Sequence, residues 1–203
     1  MRLTNRAKRA LCHAHNQWNG FVFTEPASGL LSLVRSKLKS HQVVIDDSEI
    51  LVTEIGFVTM AVHADRAVKY GESLVVPGVD SNGVCGFLVL REGAVPYHSL
   101  SSNVNAAYHE SDRAHGKASA LVAAYGDKDK LKAAAHKAPW YRIITEQDVV
   151  CSGLCLWGSE SFLRRIGLLF FAKRFGLPRL ILRLAGSYGD RVAAASMLRT
   201  KLD

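Results

Sequence analysis

Near residue 100 the sequence changes its period, and that change limits the folds open to the chain. Before it, short apolar runs at 42–45, 49–60, 73–76 and 84–91 alternate with turn residues. They are rich in Ile, Val, Thr and Phe, side chains that suit a pleated surface. After it, the stretch 103–136 is rich in alanine, the best helix former. Strands followed by helices, rather than strands alternating with helices, predict an α+β protein. The expected form has short strands mainly in the first half, helices dominating the second, and a C-terminal helical hairpin.

The punctuation refines this. Residues 84–91 make the clearest strand, bounded by glycines. Gly56 interrupts 49–60 and reads as a bulge or bend. Pro77-Gly78 ends the run 73–76, and 77–83 reads as a loop. A helix is expected over 59–70. Another is expected over 29–39, capped by Ser28, with Leu30, Leu31, Val34 and Leu38 on one face. Ser101 or Ser102 opens the long helical stretch, Gly116 and Gly126 divide it, and Asp127 caps its second part. Residues 21–23 and 140–144 are strand candidates, and 149–157 fits strand or helix. Ser159 or Ser161 caps the last block. The expected organisation is a basic arm or short helix at 1–20, an α+β core at 21–158, and a basic, apolar helical block at 159–203 packed on it.

The chain has 203 residues, 48% of them apolar and 22% charged, enough to bury a core. No apolar run approaches the roughly 18 residues of a membrane span. The basic N-terminus has no apolar segment after it, so an intracellular, cytoplasmic protein is expected. The four cysteines, Cys12, Cys85, Cys151 and Cys155, are too few and irregular for a disulfide scaffold and are read as free thiols.

The net charge of +8 is unevenly spread. Residues 1–41 and 160–203 each carry a net +6, so the centre is mildly acidic. Basic ends point to a polyanionic partner, nucleic acid above all. Arg6, Lys8 and Arg9 would contribute from the arm.

The block 161–202 threads Arg and Lys through Leu, Ile and Phe. Within it, FAKRFGLPRLILRL resembles a helix-turn-helix over about 20 residues. Ala172 is small where two helices approach, Gly176 sits at the turn, Leu177 packs inward, and Leu182 falls five residues beyond it. The resemblance implies that Arg179 and Arg183 face a groove and that Lys173 and Arg174 lie near the phosphate backbone. Leu180 and Ile181 depart from it, standing where a recognition helix is polar. Two packed helices whose arginines reach the surface fit the stretch as well. A membrane-surface helix fits less well, because the cations spread around the axis.

Catalysis has one candidate. Cys85 lies in Gly83-Val84-Cys85-Gly86, a string that resembles the surroundings of the nucleophile in chymotrypsin-like viral cysteine proteases. In that fold the histidine comes well before the cysteine, whereas His63 precedes Cys85 by only 22 residues. A papain-like order would use His98 or His109 as the base. The other reading is a small apolar cysteine in a buried strand. Metal ligands are available in Cys12, His13, His15, Cys151 and Cys155, but the two groups are far apart in sequence. Asp46, Asp47 and Glu49 read as a solvated turn. No phosphate-loop glycine motif is present, and no cofactor is expected.

The composite expectation is a non-catalytic, nucleic-acid-binding protein. The alternatives are a cysteine hydrolase built on Cys85, and a viral or mobile-element assembly protein that self-associates through its C-terminal block.

Overall fold

The computed structural model describes residues 40–45, 48–63, 66–80, 82–92 and 94–199. The arm with Arg6, Lys8 and Arg9 lies outside them, as do Cys12, His13, His15, the elements expected at 21–23 and 29–39, and Asp46 and Asp47. The protein is α+β, and the chain divides into two compact units, 1–111 and 112–203.

The first unit is built on an antiparallel sheet. Its strands are β1 (Ser40–Ile45), β2 (Ser48–Ile55), β3 (Val58–His63), β4 (Val68–Tyr70), β5 (Ser73–Asp80), β6 (Cys85–Arg91) and β7 (Tyr97–Ser99). The order is β1-β2-β3-β5-β6-β7, with β4 also on β5. Gly56 is neither bulge nor bend. At φ 60° it makes the tight turn between β2 and β3, a conformation that favours glycine.

Two expectations fail here for physical reasons. The helix expected at 59–70 is replaced by β3 and β4. Val58, Met60, Ala61, Val62 and His63 are all buried, so both sides of the segment face protein. A sheet strand covered on both faces meets that need, and a helix with one apolar stripe does not. The loop expected from Pro77 begins only after Asp80. Pro77 sits where the neighbour on one side of β5 changes from β4, paired at 73–75, to β3, paired at 78–80. A residue without an amide hydrogen is tolerated in that gap. Gly78 follows because β3 comes close. A Cβ there would lie 2.9 Å from the Ala61 carbonyl oxygen and from the Met60 and Val62 side chains.

Every residue of β5 is buried. One face of the sheet carries Val75, Phe87 and Val89, which pack with Ala107 in α1 (Val104–Tyr125) and with Tyr97, Val104 and Tyr108. The opposite face carries Met60, Val62, Val76 and Leu88, all 0% exposed. Each such side chain contributes roughly 2 kcal/mol through burial. Glu110 ties the start of α1 to β7, accepting hydrogen bonds from the hydroxyls of Ser99 (2.6 Å) and Ser101. Asn103 opens the helix by accepting from the Ala106 amide at 2.8 Å.

The second unit is helical. α2 (Lys128–Lys137) is capped by Asp127, which accepts from the Lys130 amide at 2.7 Å, as its sequence position predicts. α1 runs unbroken through Gly116, and the break comes at Gly126. The strand expected at 140–144 shrinks to β8 (Ile143–Ile144), paired with β9 (Leu177–Pro178). The ambiguous run 149–157 belongs to α3 (Glu146–Cys151) and to α4 (Leu156–Arg165), which Cys155 caps rather than Ser159 or Ser161. α5 (Leu169–Phe175), a 3-10 helix (Arg179–Ala185) and α6 (Ser187–Arg199) complete the chain.

α6 is the hub of this unit. Ala193, Ala194 and Ala195 pack with Leu121, Leu131 and Ala135. Small side chains let the backbones approach, and polar tethers hold them there. Tyr125 donates to the Ala194 carbonyl at 2.9 Å, Arg142 Nε to the Ser196 hydroxyl at 2.9 Å, and Arg191 to the Ser152 carbonyl at 2.8 Å. Gly189 leaves room for the 3-10 helix, since a Cβ there would lie 2.0 Å from the Leu182 carbonyl oxygen.

Candidate functional site

The four cations expected in the C-terminal block separate into two environments. Lys173, Arg174 and Arg183 are exposed, whereas Arg179 is buried at 6% exposure. The cause is helix type. Gly176, at φ 71°, ends α5, and a Cβ there would lie 2.6 Å from Ile143 Cγ2 and 2.7 Å from the Ile144 carbonyl oxygen. Pairing with β8 then occupies Leu177 and Pro178, and the next element is a 3-10 helix where the helix-turn-helix resemblance implies an α-helix. With three residues per turn, residues three apart share a face. Arg179, Leu182 and Ala185 therefore turn inward, and Leu180 and Arg183 turn outward. The four-residue spacing of Arg179 and Arg183 would unite them on an α-helix and separates them here.

α5 buries none of its side chains. At 3.6 residues per turn, Phe170, Phe171, Arg174 and Phe175 share one side, with Leu169 and Ala172 on the other. Phe170 is 77% exposed and Phe175 57%. The rings of Phe171 and Phe175 lie 5.1 Å apart, and the Arg174 guanidinium stands 5.5 Å from the Phe175 ring centre. Lys173 Nζ reaches Glu160 Oε1 at 2.6 Å, and Arg164 lies 3.5 Å from the same carboxylate. The hydrogen bond from Lys173 and the nearby Arg164 hold the Glu160 carboxyl below its usual range.

Sequence reasoning did not single out Trp140 and Tyr141, two further exposed rings of the second unit. Trp140 is 62% exposed, and its carbonyl accepts from the Leu180 amide at 3.2 Å. The Arg179 amide donates to Arg142. The 140–143 segment thus runs beside 178–180, with its two rings edge to face at 5.5 Å. The available signal was an aromatic pair directly after a proline in a basic half of the chain.

The histidines expected as partners of Cys85 are distributed through the first unit. Cys85 opens β6, half-buried. Asp80 organises the turn before it, accepting from the Asn82 amide at 2.8 Å and the Val84 amide at 2.9 Å through Oδ1. Burial, and then the Asp80 charge, push the Cys85 thiol up, which keeps it protonated at neutral pH. His98 pairs with Leu88, three residues along β6. Cross-strand partners share a face and neighbours alternate, so His98 lies on the opposite face from Cys85. Burial lowers the His98 pKa to about 4. His109 is exposed on α1, its ring edge to Tyr108 at 5.3 Å and near Tyr70. Tyr70 pairs with Ser73, and Ser73 with Arg91, the end of β6 farthest from Cys85. That strand is about 20 Å long.

Among the described residues no three His, Cys, Asp or Glu side chains form a metal-binding group. No helix among them is long and apolar enough to cross a membrane. The chain matches no protein-family model, and comparisons with curated proteins and with solved structures give no match.

Proposed function

We propose that this protein binds nucleic acid without catalysis, through the cations of its C-terminal block together with the basic arm. The observation that carries the reading is the exposure of Lys173, Arg174 and Arg183 in a block with exposed aromatic rings, with the Arg174 guanidinium 5.5 Å from the Phe175 ring centre. Guanidinium and ammonium groups suit phosphate oxygens, and releasing counterions supplies the affinity. Arg179 serves the interior of the unit, so it leaves the contact set that the sequence suggests. Arg6, Lys8 and Arg9 remain in it.

The test is binding of a labelled oligonucleotide across a salt series. The triple variant Lys173→Ala, Arg174→Ala, Arg183→Ala is expected to weaken binding and flatten the salt slope by about 2, at about 0.7 per single-strand phosphate contact. A variant indistinguishable from the parent protein would remove this surface from the binding site.

A second reading is self-association through the same block. It is favoured by Leu180 and Leu184, 45% and 65% exposed, because aliphatic side chains gain little from phosphate. Light scattering separates the two. A dimer dissociated by Leu184→Asp supports it, and a strict monomer at all concentrations overturns it.

A further inference from the structure

We infer that the nucleic acid taken is single-stranded, with its bases stacked on the aromatic rings of α5 and of Trp140. This rests on the proposed nucleic-acid reading and names the form of the ligand.

The surface lacks an element suited to a major groove. α5 has seven residues, about 10 Å of helix. The 3-10 helix after it presents Leu180, Arg183 and Leu184 outward and keeps Arg179 inside. Base edges inside a duplex are read by polar side chains on a longer helix.

What the surface does hold is exposed flat rings with one guanidinium against them. Phe170, Phe171 and Phe175 occupy one side of α5 with Arg174 among them, and Trp140 lies beside the Leu180 backbone. In a duplex the base faces are covered by their neighbours, so rings like these gain nothing from it. In a single strand every base has an open face, and stacking on aromatic and guanidinium planes is tolerant of sequence. Charge complementarity selects the strand's phosphates. Arg174, already against the Phe175 ring at 5.5 Å, is positioned to meet a phosphate while the ring meets the base.

The experiment measures, on the full chain, the affinities for a single strand and a duplex of equal length at one salt concentration. The single strand is expected to bind at least tenfold tighter. Phe175→Leu, which keeps an apolar side chain but loses the ring, should lose about tenfold on the single strand and leave the salt slope unchanged. Phe175→Tyr should restore the affinity. Trp140 emission should be quenched by the single strand, read as the difference from Trp140→Phe. Equal affinity for both forms, with Phe175→Leu neutral, would overturn the stacking inference and leave nucleic-acid binding standing. No binding of either form at low salt would overturn both. Tighter binding to vesicles containing phosphatidylserine than to the oligonucleotide, with Phe175→Leu tolerated, would reassign the face to lipid and overturn the inference as well.

Discussion

Arg179 and Arg183 stand on different faces of one short 3-10 helix. Arg179 is buried beneath it, and Arg183 reaches solvent. Two arginines of similar sequence context therefore have different work. Arg183→Ala is expected to weaken oligonucleotide binding without moving the melting temperature. Arg179→Ala is expected to cost roughly 1–3 kcal/mol of stability through lost packing and exposed polar backbone. Thermal unfolding of the two variants, read beside their binding curves, checks the division. Equal loss of binding at unchanged stability would contradict it.

Asp148 is fully buried and answers to Arg199. Its Oδ1 lies 2.9 Å from Arg199 Nε at an angle poor for a hydrogen bond, and Oδ2 accepts from Arg199 Nη2 at 3.1 Å. Oδ2 also accepts from the Thr145 amide at 2.8 Å, closing the capping box of α3. Arg199→Ala strands a buried carboxylate and is expected to cost about 3 kcal/mol in urea unfolding. A cost below about 0.5 kcal/mol would show that the pair behaves as a surface ion pair.

His98 makes stability depend on pH. Its folded-state pKa, about 4, lies below the ordinary 6.5. Between those values the unfolded chain binds the proton and the folded chain does not, so stability falls as pH falls from 6.5 toward 4. The loss sums to about 3 kcal/mol. His98→Gln should flatten the dependence across that window. Parallel stability curves for the two proteins from pH 7 to 4.5 would contradict this account.

Cys85 should alkylate slowly. With its thiol pushed up by burial and by Asp80, peptide-level labelling by iodoacetamide at pH 7 is expected to lag a free thiol and to rise steeply only above pH 9. Asp80→Asn removes the second cause and should speed it. Fast labelling of the native protein below pH 8 would restore the nucleophile reading.

Where local chemistry decides, the sequence was informative. β6 begins one residue inside the expected 84–91 run, and Asp127 caps α2 as its position implies. Legibility ended where the outcome depended on neighbours distant in sequence. The Met60–His63 segment has a helix-like composition, but burial on both faces makes it a strand. Pro77 breaks most strands, yet the switch of partners along β5 accommodates it. In the candidate site, Lys173, Arg174 and Arg183 were legible as cations. The burial of Arg179 and the exposure of Trp140 depended on β8 pairing with β9, two residues on each side, which no local pattern announces.

The most direct test of the central claim is the affinity of the full chain for a single-stranded oligonucleotide of about 20 residues, followed from low to high salt. Phosphate contacts by several exposed cations predict a straight, steep fall of log affinity with log salt, about 0.7 in slope for each contact. A flat response, or no binding at low salt, would contradict it.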